Sequence, residues 1–184
     1  MKLLAYQTTS SAVRKSKFKS LLALIALFAL LSPAVSHARD MQGRLGLGYN
    51  AEWANFYSSG GVPSVSLKYG LTRDIATEFS VGVSTANPSN SSTALKLFKN
   101  IFYETNLNFY FMVGGAVVSA ANAGGGKNTG AEFLGGFGAE FFIPGIESLG
   151  FAMETGAELD NLSGSFVFKT LGVSFLNAGI HFYF

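Results

Sequence analysis

Leu176-Asn177-Ala178-Gly179-Ile180-His181-Phe182-Tyr183-Phe184 closes the sequence and decides how the rest is read. Counting back from Phe184, every second residue is apolar: Phe184, Phe182, Ile180, Ala178 and Leu176. Tyr183, His181, Gly179 and Asn177 alternate with them. A two-residue period puts successive side chains on opposite faces of an extended strand. One face of this strand is greasy, the other mixed, and it stops on an aromatic side chain.

The same alternation recurs upstream between stretches of turn chemistry. Met41–Ala51 sets Leu45, Leu47 and Tyr49 against Arg44, Gly46 and Gly48. Pro63–Leu71 sets Val65, Leu67 and Tyr69 against Ser64, Ser66 and Lys68, and Ile75–Ser84 sets Phe79, Val81 and Val83 against Glu78, Ser80 and Gly82. Thr93–Phe102 is less clean, because Lys99 shares a face with Leu95, Leu97 and Ile101 and must snorkel from near the interface. Tyr103-Glu104-Thr105 then turns the chain into Asn106–Val118, followed by Thr129–Ile143, Leu149–Leu159 after Pro144-Gly145, and Phe166–Phe184. In the last of these the apolar face switches near Ser174-Phe175, which predicts a bulge or bend. These eight segments average about ten residues, the length a tilted strand needs to cross a bilayer.

Composition agrees with a closed β architecture. Of 184 residues 48% are hydrophobic and only 13% charged, with 22 Gly and 18 Phe; a soluble domain carries about 25% charge. There is no cysteine, hence no disulfide, thiolate metal site or lipid-attachment thiol. The formal charge of +2 is misleading. Residues 1–38 hold Lys2, Arg14, Lys15, Lys17 and Lys19 and no acid, which leaves eight bases (13 − 5) against all eleven acids in residues 39–184, a net of −3. Basicity is therefore no argument for nucleic-acid binding.

Arg14-Lys15-Ser16-Lys17-Phe18-Lys19, the apolar run Leu21–Leu31 and the small-residue site Ser36-His37-Ala38 follow the order of a secretory signal peptide. The apolar run is too short for a spanning helix, which needs about 20 residues. The expected organisation is a signal peptide over 1–38, cleaved after Ala38, and one domain over 39–184.

Which face points outward decides between a soluble and a membrane barrel. The mixed face carries Arg44, Lys68, Glu78, Lys96, Glu132, Glu140, Glu154 and Glu158 among glycines. Eight charges cannot cheaply line a greasy ligand pocket; they suit a polar lumen inside a ring whose Phe and Leu face lipid. The inward glycines leave room for the long charged side chains. A three-residue turn at Thr72-Arg73-Asp74 places Leu71 opposite Ile75 and Lys68 opposite Glu78, predicting an inward Lys68–Glu78 ion pair. Tyr49, Trp53, Tyr57, Tyr69, Tyr103, Phe182 and Tyr183 lie near strand ends, where aromatic girdles form.

With the signal peptide, the alternation and the aromatic terminus together, residues 39–184 resemble the small eight-stranded outer-membrane β-barrels of the OmpA/OmpX/OmpW type. The resemblance implies an all-β, antiparallel, up-and-down transmembrane barrel in the outer membrane. It implies contact with outer-membrane lipids, periplasmic chaperones and the barrel-insertion machinery, which reads the closing strand through Ile180, Phe182 and Phe184. Unlike the OmpA pattern, no periplasmic peptidoglycan-binding domain is expected, so wall anchoring is not implied, and the longest expected loop, Glu52 to Val62, is short for an adhesive barrel. The expected role is structural or surface-interacting, with a salt-bridged lumen and a surface ligand or solute left unassigned. Alternatives are an OmpW-like passive path for small or apolar solutes and a membrane-embedded lipid-modifying enzyme.

Catalytic and metal motifs are weak. His181 is the one histidine of residues 39–184, is expected at the rim or in the lumen, and has no serine two residues away. The glutamates read as a salt-bridge network rather than an acid/base pair. No metal spacing or cofactor motif occurs, and Gly124-Gly125-Gly126-Lys127-Asn128-Thr129 lacks the spacing of a phosphate loop.

Overall fold

A computed structural model describes residues 40–51, 62–85, 89–121, 126–162, 164–171 and 176–184. The expected signal peptide and the aromatics Trp53 and Tyr57 lie outside the described residues.

Among the described residues nine strands follow one another: β1 Leu45–Asn50, β2 Ser64–Gly70, β3 Ile75–Ser84, β4 Asn90–Glu104, β5 Leu107–Ala121, β6 Lys127–Phe142, β7 Leu149–Asp160, β8 Val167–Thr170 and β9 Asn177–Tyr183. From β1 to β7 each pairs antiparallel with the next. Both β8 and β9 pair with β7, and β9 closes on β1 with Tyr49 opposite Ile180. β8 and β9 are thus two lengths of one stave, and the ring is a closed eight-stave antiparallel barrel. Closure satisfies the backbone polar groups that lipid cannot.

The geometry of the ring can be read from its register. Glu132 of β6 leads through Ala116, Ala94, Ser80, Ser66, Gly48, His181 and Gly150, partner by partner, back to β6 at Phe142. The circuit is displaced by ten residues (142 − 132). Combined with a rise of ~3.3 Å and a strand spacing of ~4.8 Å, that stagger tilts the strands by about 40° and sets a backbone radius of about 8 Å. Such a lumen is just wide enough for side chains to fill.

Two local features differ from the expected boundaries, at β4 and in the last stave, while the turn at Pro144-Gly145 falls where it is expected. A bulge between Asn100 and Phe102 turns both Ile101 and Phe102 outward, carries β4 on to Glu104, and moves the turn to Thr105-Asn106. Ile143-Pro144-Gly145-Ile146 is a turn closed by the Ile146 N–H on the Ile143 carbonyl at 3.0 Å, with Gly145 at φ +85°. Pro at its second position and a positive-φ Gly at its third suit type II geometry. In the last stave, Thr170 faces Ala157 and Asn177 faces Glu154, so seven residues (177 − 170) span what three (157 − 154) span on β7. The excess of four is even. The faces therefore do not switch: even-numbered Phe166 and Phe168 are exposed, as are Ile180 and Phe182 further on.

Candidate functional site

The outer wall is apolar. Leu47, Leu67, Phe79, Val81, Leu95, Val117, Phe133 and Phe137 all point away from the barrel, with Phe133 57% and Val117 61% exposed. A continuous apolar belt on this scale far exceeds what a soluble monomer exposes. The charges lie inside, where the strand parity puts them. Lys68, Glu78, Lys96, Glu132, Glu140, Glu154 and Glu158 are all buried.

The lumen is organised in layers. At the end where the strand termini Leu45 and Tyr183 lie, Met41, Phe142 and Tyr183 form an apolar plug, the Phe142 and Tyr183 rings 5.9 Å apart. Above it lies the main ionic network. Lys68 Nζ donates to Glu140 at 2.9 Å, and Lys96 Nζ lies 3.2 Å from Glu154 and 3.4 Å from Glu78. The Tyr110 hydroxyl donates to Glu154 at 2.8 Å, the Tyr183 hydroxyl to Glu140 at 2.6 Å, and the Asn50 amide to Glu78 at 3.1 Å. Lys68 also sits over the rings of Phe98 and Tyr110, at 4.4 and 5.1 Å. Nearer the loops a second cluster gathers Glu132, Glu158 and Asp160 around Lys169, whose Nζ is 2.7 Å from Glu158 and 3.3 Å from Asp160. Val62, Val118, Ala120, Leu162 and Leu171 are buried at the loop end.

The expected Lys68–Glu78 pair is corrected here. The two residues are register partners on one face, as the three-residue turn requires. Yet Lys68 binds Glu140 across the lumen, while Glu78 takes Lys96 and His181. Closure brings inward ends within a few ångströms of the far wall, so the partner is chosen across the barrel rather than along the sheet. Arg44 is likewise corrected. It precedes β1, half-buried at the barrel mouth, 5.7 Å above the Tyr183 ring, and donates to the Glu147 carbonyl at 3.4 Å. It is not among the buried ionic residues.

Of the aromatics, Tyr49 and Tyr69 face outward. Tyr103 instead turns toward the β2–β3 turn, its hydroxyl 2.6 Å from Asp74 Oδ1. Tyr183 is not a girdle residue: at 3% exposure it belongs to the lumen. Ile180, Phe182 and Phe184 all project outward, and the Phe184 N–H donates to the Leu45 carbonyl at 2.9 Å.

His181 proves to be a hub of the network. Its Nε2 is 3.0 Å from Glu78 Oε2 and its Nδ1 3.2 Å from Glu140 Oε1, while Ser66 Oγ is 3.3 Å from Nε2. Gly48 is what admits it, since a Cβ there would collide with the imidazole. A serine, a histidine and a carboxylate in contact invite comparison with a nucleophilic triad. The arrangement cannot work as one. An ionised carboxylate only accepts hydrogen bonds, so Nε2 must present its proton to Glu78 and cannot take one from Ser66. Ser66 is also 1% exposed, which leaves no approach for a substrate. Among the described residues no group of His, Asp or Glu is placed to hold a metal.

Asp160, Lys169, Tyr110 and Tyr183 escaped the sequence reading as lumen partners. Their parity was available as a signal: Tyr110 and Tyr183 fall on the polar face of their strands. For Lys169 the apparent switch of face hid it.

A closed antiparallel eight-stave ring, greasy outside and charged inside, is the fold of the small outer-membrane β-barrels. Comparison with solved structures agrees. The chain is similar to the N-terminal β-barrel domain of Pseudomonas aeruginosa OprF, with 15% identity, a TM-score of 0.58, and coverage of 78% of this chain and 98% of that one. It also aligns with Yersinia pestis Ail in a phospholipid nanodisc (12% identity, TM-score 0.41, 77% and 100% covered) and in a crystal (12%, 0.38, 78% and 100%). No protein-family model matches the chain, and no curated protein matches it in sequence.

Proposed function

We propose that this chain is an integral outer-membrane protein whose barrel is a sealed, salt-bridged stave bundle with a structural or surface-interaction role, neither a channel nor an enzyme. The observation that carries this reading is the burial of its charges. The Lys96 side chain is 2% exposed and that of Glu78 is 0%. A water-filled conduit would wet such groups far more than this. The apolar plug at one end and the apolar layer at the other support the same reading. In it, residues 1–38 are an export signal removed after Ala38. The outward triplet Ile180, Phe182 and Phe184 addresses the insertion machinery, with periplasmic chaperones delivering the unfolded chain. Tyr49 and Tyr69 sit at the lipid–water interfaces.

Two experiments test it together. Refolded into vesicles, the protein should migrate faster on an SDS gel before boiling than after, as closed barrels do. In planar bilayers the same preparation should show no steady conductance. Persistent single-channel steps would refute the sealed lumen and revive the passive-path reading, in which six lumen acids predict cation preference.

A further inference from the structure

The outer wall is not uniform. Between β3, β4 and β5, near the short turns, a trough of about 260 Å³ opens toward the surroundings of the barrel. Ile75, Leu97, Phe111 and Val113 line it, and its wall is almost wholly apolar apart from Lys99. The register places these residues in two rows. Ile75, Lys99 and Phe111 are partners in the row nearer the turn, and Leu97 and Val113 are partners in the row toward the barrel's middle. The trough therefore has a cationic end at the turn and a greasy end pointing into the wall.

The charge at the turn end is not balanced. Lys99 Nζ is 3.1 Å from Asp74 Oδ2, and Arg73 lies 5.2 Å above the Tyr103 ring whose hydroxyl binds the same Asp74. Two cations thus share one carboxylate. Glu104 is five residues beyond Lys99 along β4, about 16 Å away at strand rise, too far to neutralise the lysine. The Lys99 side chain is 56% exposed, so it can still meet a ligand beside Asp74.

We propose that this trough binds one anionic phospholipid of the leaflet facing the short turns, its phosphate on Lys99 and Arg73 and one acyl chain along Leu97 and Val113. The volume is below that of a typical pocket for a compact organic ligand, and its open side suits a chain that continues into the bilayer. An excess of one positive charge selects a lipid with net negative charge over a zwitterionic one, and one basic residue near a membrane surface is worth about a five-fold preference. The proposal rests on the membrane reading above.

The test uses nanodiscs of equal parts phosphatidylglycerol and phosphatidylethanolamine, with native mass spectrometry of the refolded barrel released from them. The wild type should retain a single lipid, phosphatidylglycerol over phosphatidylethanolamine by about five-fold. Lys99→Gln should remove that preference, with Arg73→Gln in the exposed turn as a second charge variant. Val113→Trp should fill the trough and lose both lipids. Heat-dependent gel migration of every variant reports folding. Equal retention of the two lipids by the wild type, or wild-type retention in Lys99→Gln and Val113→Trp, would overturn the site. A wild type that folds but keeps no lipid also overturns it alone, whereas failure to enter the bilayer overturns the membrane reading.

Discussion

Replacing Lys96 by Met tests whether the lumen is dry. The substitution keeps most of the aliphatic volume and removes one charge. It leaves Glu154, 3.2 Å from the missing ammonium, with the Tyr110 hydroxyl at 2.8 Å, while Glu78 retains His181 Nε2 at 3.0 Å. Removing one partner from a buried pair costs about 3–5 kcal/mol when the other charge stays in place. The surviving hydrogen bonds put the expected loss near the lower end, about 3 kcal/mol, or more than a hundred-fold in the folding equilibrium. With slopes of about 1–3 kcal/mol per molar urea, the midpoint should fall by about 1–3 M. The assay is urea unfolding of vesicle-refolded protein, scored by the heat-modifiable gel band. Lys127→Met, on the exposed start of β6, should stay within about 0.5 kcal/mol. Adding Glu154→Gln to Lys96→Met should restore much of the loss, because a neutral pair replaces a stranded carboxylate. A Lys96→Met variant as stable as Lys127→Met, or a double variant with no recovery, would mean the charges are hydrated and the sealed-lumen reasoning is wrong.

Three further outcomes follow from the geometry. A Cβ at Gly136 would collide with the Thr155 carbonyl and lie 2.9 Å from Gly156 Cα, so Gly136→Ala should cost about 1–3 kcal/mol by overpacking. Gly135, one residue away with nothing near its outward side, should accept Ala without loss in the same urea assay. Tyr183→Phe deletes the 2.6 Å donor to Glu140 and should cost about 1.5–3 kcal/mol, the range for a hydrogen bond to a charged group; an unchanged midpoint would place that hydroxyl in water. In the β2–β3 turn, the Tyr103 hydroxyl and then Lys99 hold the Asp74 carboxyl below its ordinary range. A lowered folded-state pKa gives stability that is present at neutral pH and lost as the pH falls through it. Tyr103→Phe should therefore raise the Asp74 titration toward the ordinary carboxyl range, read by carboxyl-carbon NMR, and an unmoved midpoint would deny the contact its role.

The parts legible in the sequence are those set by neighbours along the chain. Alternation alone assigned the facing of Lys68, Glu78, Lys96, Glu140 and Glu154, because side-chain direction in a strand depends only on parity. The Thr72-Arg73-Asp74 turn was enough for the β2–β3 register, since loop length and parity admit no slip of one residue. Boundaries were less secure. The strand β4 overran its expected end because the bulge at Asn100 and Phe102 adds a residue that no composition cue marks. In the last stave the even excess of four residues kept both lengths in phase, whereas the odd-numbered apolar residues Leu171, Val173 and Phe175 made the apolar face look inverted and hid Lys169.

Charge partners were illegible for a deeper reason. Whether Lys68 meets Glu78 beside it or Glu140 opposite depends on how far the sheet is staggered when it closes. That stagger is a sum over eight pairings, the last of which joins β9 to β1, and no segment contains it. A stagger two residues larger or smaller would leave every side chain on its present face and every hairpin intact. It would nonetheless slide one wall past the other by roughly 6.6 Å at strand rise, enough to carry Glu140 away from Lys68 and His181 away from Glu78. The ionic network therefore cannot be a bystander of closure. Three lysines and six acids, crossing the lumen and meeting at these distances only at a ten-residue displacement, favour that stagger over its neighbours of equal parity. This is the sense in which buried charge can serve specificity where it adds little to stability. The charges that make the interior costly also select which barrel the sequence closes into.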